Sequence, residues 1–157
     1  MSELTPEEVE ALMGTTVKNV SSMPNEGVAE YEIVEPRFFE PGDWDNDDVY
    51  KVISIVMRNC DDESANPAAM KVRLYADKDP KTNDWVRDKK GNVIVRGLEK
   101  ASPNSNYGKL LAAVWPNEKD RIGKGLRDLV GQRLKANIAH KVSPNGKDYA
   151  EVNPRPL

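Results

Sequence analysis

The sequence predicts a mainly β protein, a small antiparallel barrel with a helical insertion before its C-terminal hairpin. Three observations support this prediction. Short β-branched runs separated by turn residues recur between residues 28 and 97. Apolar residues with helical spacing then appear between residues 102 and 132. The chain closes with two alternating runs joined by a Pro-Asn-Gly turn.

The 157 residues are typical of a single domain, 1–157, with an acidic, loop-rich segment 1–48 before a β-rich core 49–157. Residues 1–50 carry 13 acidic and 2 basic residues, a net charge of −11. Residues 96–157 carry 12 basic and 6 acidic residues, a net charge of +6. Such asymmetry indicates different roles for the two ends, and chance segregation of surface charge is the alternative.

Neither a membrane nor an oxidising compartment is indicated by the sequence. No apolar run approaches the roughly 18–20 residues that span a bilayer, and "MSELTPEEVE" lacks the basic start and apolar stretch of a signal peptide. Cys60 is the only cysteine, which excludes an intramolecular disulfide and a zinc site built on cysteines. These features favour a cytoplasmic setting.

The N-terminal stretch "TPEEVEALMG" predicts a short peripheral helix. Thr5 suits the N-cap, Pro6 the first helical position and Glu8 the capping box, and Gly14 is a stop signal. Between this helix and residue 48, turn residues break short strands such as "VAEYEIVE".

The strongest strand signal is "VYKVISIVMRN", residues 49–59, a nearly continuous β-branched run that predicts a central strand. "MKVRLYA", residues 70–76, alternates cleanly between an apolar and a polar side. The apolar side comprises Val72, Leu74 and Ala76, and the other comprises Lys71, Arg73 and Tyr75. "WVRD" (85–88) and "VIVRG" (93–97) complete a predicted meander of short antiparallel strands.

A helical insertion follows the meander. Leu110, Leu111, Val114 and Trp115 have helical spacing, which Pro116 ends. A second, weaker helix is broken by two glycines, Gly123 and Gly125; its apolar residues are Ile122, Leu126, Leu129 and Val130. A helix between the third and fourth main strands of a small, partly open barrel is the layout of an OB-fold, so the predicted fold is OB-fold-like.

The closing hairpin, "RLKANIAHKV" and "KDYAEVNPR", must bring its two apolar faces to the same side, because a slip of one residue would exchange core and solvent faces. A two-residue Asn-Gly turn would mismatch them. A three-residue loop, residues 144–146, pairs Ser143 with Lys147, Ile138 with Val152, and Lys141 with Tyr149. Pro154 and Pro156 are expected to end the strand pairing.

Two strands therefore present a basic and aromatic outer face. On the hairpin the cations Arg133, Lys135, Lys141, Lys147 and Arg155 surround Tyr149. The earlier strand contributes Lys71, Arg73 and Tyr75, with Trp85 and Arg87 expected nearby. Cations displace counterions from phosphates and an exposed ring stacks on a base, so these residues form the predicted nucleic-acid-binding site. The alternative is that lysines on edge strands prevent aggregation.

The stretch "LRDLVGQRLKANIAHKV" followed by "PNGKDYAEVNPRP" resembles phage-encoded single-stranded-DNA-binding proteins of the OB-fold kind. The resemblance implies non-enzymatic binding of single-stranded DNA in phage DNA replication or recombination. It also implies the cytoplasm of a host cell, with replication or recombination proteins and a second copy of the chain as further partners.

Two alternatives involve no DNA binding. The acidic segment 1–50 carries rows of carboxylates that imitate a DNA backbone, which would suit a phage or mobile-element protein that binds and inhibits a host protein. A small virion or assembly component is the other alternative, and it rests only on the β-rich composition.

An enzyme, a metal site and a cofactor are not predicted. Asp43, Asp45 and Asp47 match the first ligands of an EF-hand loop, but Asp48 replaces the required Gly and Ser54 the bidentate Glu, so a solvated acidic loop is expected. His140 is the only histidine, and its position on the apolar face predicts a buried, hydrogen-bonded side chain. No Ser-His-Asp group can form without it.

Overall fold

Residues 3–16, 23–42 and 46–157, which a computed structural model describes, form six strands and four helices. In chain order these are α1 (Pro6–Met13), β1 (Gly27–Phe39), β2 (Val49–Asn59), β3 (Ala68–Ala76), β4 (Val95–Arg96), α2 (Asn106–Val114), α3 (Glu118–Arg121), α4 (Leu126–Leu129), β5 (Arg133–Val142) and β6 (Asp148–Arg155). The predicted mainly β fold with a short N-terminal helix and a helical insertion before the hairpin is confirmed.

Within this described part, the strands form one antiparallel sheet in the order β4-β3-β2-β1-β5-β6. β3 and β6 are separated by three strands, yet their Cα atoms approach within 8 Å, and α2 contacts both of them. Strands so far apart in one sheet meet only if the sheet curls, a shape that strand twist favours. The molecule is therefore barrel-like, with α2 between the third long strand and the hairpin, as predicted.

β1 corrects the prediction that segment 1–48 is loop-rich and lies outside the β-rich core. It lies between β2 and β5, and its side chains Tyr31 and Ile33 are completely buried. A register shift between Ile33 and Glu35 accompanies the bend of this long strand. β5 pairs only with residues 27–32 of β1. Beyond them, at Pro36, one edge of β1 has no strand beside it among the described residues. Proline is tolerated there, because no N–H is needed on an unpaired edge.

The hydrophobic core lies between the inner face of the sheet and α2. Alternate residues of three strands are buried in it: Ile53, Ile55 and Met57 of β2, Met70, Val72 and Leu74 of β3, and Leu134, Ala136 and Ile138 of β5. Leu110 of α2 and Leu129 of α4 are completely buried against this layer. The alternation that the sequence predicts for β3 and β5 is thus the one that builds the core.

The weaker helix of the insertion forms as two single turns, α3 and α4, rather than one helix. Gly123 lies between them with a φ of +83°, a left-handed conformation that ends a helix and favours glycine. Of the four predicted apolar residues, Leu129 is buried and Leu126 half-buried, whereas Ile122 and Val130 are exposed.

The predicted strands "WVRD" and "VIVRG" form only the two-residue β4 and two isolated bridges, Lys78 with Trp85 and Arg87 with Val93. Residues 77–94 therefore make a loose two-stranded arm beyond β3. The prediction failed because alternation in a short, charged run does not guarantee a neighbouring strand that can satisfy its backbone groups along its length.

The closing hairpin has the predicted register. Ile138 pairs with Val152 and Lys141 with Tyr149, and the Ser143 N–H donates to the Lys147 carbonyl at 2.8 Å. Gly146 has a φ of +83°, as a glycine bulge after a three-residue loop requires. The expectation for Pro154 was wrong. Pro154 pairs with Ala136 inside β6, because β6 is the last strand of the sheet and its outer edge needs no N–H donor.

α1 has the predicted local structure but buries none of its residues. The Glu8 N–H donates to Thr5 Oγ1 at 3.2 Å, which confirms Thr5 as the N-cap. Among the described residues, no helix combines the length and the apolar character needed to cross a lipid bilayer.

Replacing Gly108 with alanine is expected to lower the free energy of unfolding by about 1–3 kcal/mol. Gly108 is buried in α2, and a Cβ there would lie 2.0 Å from the Ser102 carbonyl oxygen. In a helix, alanine is ordinarily more favourable than glycine by about 1 kcal/mol, so a Gly→Ala substitution usually stabilises the protein. At Gly108 the clash is expected to outweigh this gain and make the substitution destabilising. Urea denaturation measures the change.

Gly14→Ala is the matched control. A Cβ at Gly14 would meet the Glu10 carbonyl oxygen at 3.4 Å, an ordinary contact on an exposed helix, and its effect is expected to stay within about 0.5 kcal/mol. Equal effects of the two substitutions would contradict the tight packing of α2 against residue 102.

Candidate nucleic-acid interface

The outer face of β3 carries the three residues that the sequence predicts there. Lys71 and Arg73 are exposed and Tyr75 is half-buried, and they alternate with buried Val72 and Leu74. Side chains two residues apart on one strand are about 7 Å apart. Two cations and an aromatic ring therefore line the outside of this strand at regular intervals.

Two rows of cross-strand partners extend this face over β2 and β1. One row is Phe39, Val52 and Arg73, and the other is Arg37, Ser54 and Lys71. Directly opposed residues have Cβ atoms about 5 Å apart on the same side of the sheet. We call the resulting surface the β1–β3 face and define it by Arg37, Phe39, Lys71, Arg73 and Tyr75.

Sequence reasoning missed Arg37 and Phe39. The predicted short strand "VAEYEIVE" ends at Glu35, within a segment rich in turn residues. The available signal was the continued alternation of Glu35, Arg37 and Phe39 beyond Pro36. Phe39 is 51% exposed, so an aromatic ring stands on the surface in the same row as Arg73.

The predicted residues Trp85 and Arg87 lie in the arm after β3. The Trp85 ring meets Tyr50 of β2 edge to face, with ring centroids 5.3 Å apart, and the Lys78 ammonium lies 4.9 Å from the centroid of the Trp85 ring. The contact of the Trp85 ring with Tyr50 thus packs the arm against the sheet. Arg87 donates from Nη1 to the Gly91 carbonyl at 3.0 Å, so its guanidinium holds the turn of the arm.

A cleft of about 410 Å³ opens between β3 and the segment that leads into α2. Lys71, Arg73 and Tyr75 line one side, and Lys100 and Asn106 lie on the other. None of the described residues that line the cleft is acidic. The Asn106 amide donates to the Lys71 carbonyl at 2.7 Å, which fixes the start of α2 beside β3. The cleft is therefore a positively charged extension of the β1–β3 face.

The hairpin cations differ from the prediction in their electrostatics. Arg133 pairs with Glu30 at 3.2 Å and with Glu32 at 3.4 Å, and Lys141 pairs with Glu151 at 2.7 Å. The first two carboxylates belong to β1, which lies beside β5. The sequence prediction considered the hairpin alone and so did not include the acidic strand next to it.

The other predicted hairpin residues remain at the surface. Lys135, Lys147 and Arg155 are exposed and form no ion pair with any residue that the structure describes. Tyr149 is exposed beside Lys141, as the register predicts. Lys135 has Glu30 opposite it on one side and Arg155 on the other. The hairpin face is thus a mixture of both charges, with its cation excess near the turn and the C-terminal end.

These ion pairs change the ionisation of two glutamates. The Arg58 guanidinium, and with it Arg133, lowers the pKa of Glu32 below its ordinary value. Lys141 lowers the pKa of Glu151, and Glu151 in turn raises the pKa of Lys141. Both carboxylates therefore stay charged to lower pH than an isolated glutamate and offset the neighbouring cations.

No cluster of potential metal ligands forms in the described part of the chain. Within it, no three side chains of His, Cys, Asp or Glu come together as metal ligands would. The candidate EF-hand loop lies partly outside the described residues, which omit Asp43 and Asp45. His140 donates from Nε2 to the Pro24 carbonyl at 2.6 Å, as predicted, but its side chain is 29% exposed rather than buried. It lies towards the hairpin turn, beyond Ile138, where the pairing of β5 with β1 ends.

Arg58→Met is expected to raise the pKa of Glu32 towards its ordinary value while leaving that of Glu151 unchanged. Lys141→Met should do the converse, and carboxyl chemical shifts followed over pH measure both. Because the folded pKa of Glu32 is lowered, its stabilisation exists above the ordinary value of about 4.3 and is lost as pH falls through the lowered pKa. A Glu32 pKa that does not respond to Arg58→Met would contradict the assigned ion pair.

Comparison of the chain with protein-family models, with curated proteins and with solved structures finds no match in any of the three.

Proposed function

We propose that this chain binds single-stranded DNA on the β1–β3 face and in the adjoining cleft, without catalysing a reaction. One observation carries the proposal. Arg37 and Phe39 of β1 and Lys71 and Arg73 of β3 lie in two adjacent rows that cross β2, and Tyr75 follows next along β3. They lie next to a cleft that has no acidic side chain among its described lining residues.

The chemistry of this face suits an unpaired strand. Cations attract phosphates and release their counterions. An exposed ring such as that of Phe39 stacks on a base only if the base is not already stacked in a duplex, and each such contact contributes roughly 1–3 kcal/mol. A face that combines both groups therefore favours a single strand over a double helix.

The position of the face in the fold gives further support by analogy. In OB-folds the surface of the second and third strands, together with the first and the last inter-strand loops, binds oligonucleotides. β2 and β3 hold these positions here. The last inter-strand loop is the hairpin turn, beside which lie Lys147 and Tyr149. These two residues would reach the same strand of DNA from the far side of the barrel mouth.

The biological setting follows from the resemblance of the C-terminal stretch to phage single-stranded-DNA-binding proteins. We place the chain in DNA replication or recombination of a phage, in the cytoplasm of its host. Proteins of those two processes are the partners that this setting implies.

The alternative of DNA mimicry has less support. The carboxylates of β1 and the residue after it face cations of the same chain: Glu30 with Arg133, Glu32 with Arg58 and Arg133, Glu35 with Arg37, and Glu40 with Lys51. Carboxylates that already have cationic partners attract a basic surface of another protein less strongly than free ones.

Fluorescence anisotropy with a labelled oligo-dT at several salt concentrations tests the proposal. With about four phosphate contacts, the logarithm of the association constant should fall with the logarithm of salt at a slope of about −3. Arg73→Ala should weaken binding and reduce that slope by about 1, because it removes one phosphate contact. Phe39→Ala should weaken binding by about 1–3 kcal/mol and leave the slope unchanged, because stacking releases no counterion.

Lys119→Ala serves as the control, since Lys119 is an exposed lysine of α3, away from the β1–β3 face. It should leave affinity and slope as they are. Equal loss with Lys119→Ala and Arg73→Ala would reduce the interaction to nonspecific charge attraction, and absence of binding at low salt would refute the proposal. An oligo-rU competitor distinguishes DNA from RNA, and tighter binding of rU would overturn the choice of DNA.

A further inference from the structure

Helix α1 carries an apolar stripe that nothing in the described chain covers. Leu4, Val9, Leu12 and Met13 are 44–81% exposed, although three of them follow the helical spacing of one face. Leu4 and Val9 also occupy the two positions of a hydrophobic staple around the Thr5 cap. The sequence thus encodes an amphipathic helix with a defined start, and its apolar side is uncovered in the described chain.

A helix this short is marginal in water. Isolated helices of fewer than about 12 residues gain too few hydrogen bonds to offset nucleation, and most helical stability in proteins comes from packing of the apolar face. α1 has eight residues and no buried side chain. Its stability therefore requires a covering surface, which must be apolar at its centre. The rim of that surface should be basic, because the charged residues of this segment are all acidic: Glu3, Glu7, Glu8 and Glu10.

The same chain contains such a surface. A groove of about 890 Å³ lies between residues 98–101, α2 and the two single-turn helices. Its apolar lining comprises Leu98, Ala101, Leu111, Ile122 and Leu126. Ile122 is 83% exposed and is the most exposed of the large apolar side chains in the described residues.

The charges of the groove complement those of α1. Arg121, Lys124 and Arg127 line it, against Glu99 and Asp128. Asp128 accepts a hydrogen bond from the Gly125 N–H at 2.8 Å. The Arg121 guanidinium likewise donates to the Trp115 and Pro116 carbonyls, at 2.7 and 2.8 Å. One carboxylate and one cation are thus directed to the backbone, and Lys124 and Arg127 remain against Glu99. The lining therefore keeps a net positive charge for a helix whose side-chain charges are all negative.

We propose that α1 of one copy packs in this groove of a second copy. Within a single chain both the stripe and the groove remain uncovered, and a second copy supplies both missing halves. The exchange is reciprocal, because each copy offers one helix and one groove, and it closes a two-fold dimer. This inference is independent of DNA binding.

Crosslinking between differently tagged chains tests this arrangement. Both chains carry Cys60→Ser, which removes the only native cysteine. One chain then carries Met13→Cys and the other Ile122→Cys. A disulfide between the two tags is expected under mild oxidation. Met13→Cys mixed with Val86→Cys is the matched control, since Val86 is an exposed apolar residue of the arm, outside the groove, and it should give no crosslinked product.

Sedimentation equilibrium of the full chain provides the second measurement. The unaltered chain should be a dimer, and Leu12→Ser or Ile122→Ser should raise its dissociation constant by about tenfold or more. Val86→Ser should have no effect. A monomer at all concentrations would overturn the proposal. So would a dimer that persists without residues 1–14, or the absence of a disulfide between the Met13→Cys and Ile122→Cys chains.

Discussion

The structure depends on the pairing of β1 with two partners at once. On one side β1 pairs with β2, and through it with β3 and β4; on the other it pairs with β5 and the closing hairpin. The residues that it brings together are about 100 positions apart, as in the ion pair between Glu30 and Arg133. Without β1 the sheet would separate into a meander and an isolated hairpin, and a two-stranded hairpin alone is marginally stable in water.

β1 also divides the outer surface into two electrostatic regions. Its first half carries Glu30 and Glu32, which face the cations of β5 and Arg58. After the register shift beyond Ile33, its second half presents Arg37 and Phe39 beside β2 and β3. One strand thus balances the charge of the hairpin and extends the basic and aromatic surface of β3. On the β1–β3 face Arg37 also pairs with a carboxylate, that of Glu35 at 2.8 Å. The cleft beside Lys71 and Arg73 has no acidic side chain among its described lining residues, and this cleft makes the β1–β3 face, rather than the hairpin, the stronger candidate for binding a polyanion.

Local pattern was sufficient for part of this fold. The bounds of β2, the alternation of β3 and the register of the hairpin follow from side-chain periodicity and turn chemistry, both of which depend on neighbouring residues. The second half of β1 could not be predicted in this way. A proline fits in a strand only where one edge of that strand has no neighbouring strand, and this depends on the tertiary structure. The ion pairs of Arg133 could not be predicted either, because no residue near Arg133 in the sequence indicates that β1 lies beside β5. Lys100 was not part of the predicted site, because only the turn of the chain before α2 brings it to the cleft beside β3.

Backbone amide chemical shifts of the labelled protein, recorded while oligo-dT is added, test most directly where a single strand binds. Binding at the β1–β3 face predicts concentration-dependent shifts at Arg37, Phe39, Lys71, Arg73 and Tyr75, and at Lys100 across the cleft, with smaller ones near Lys147. Shifts confined to the hairpin residues Arg133, Lys135 and Arg155, or no shifts at low salt, would contradict this assignment.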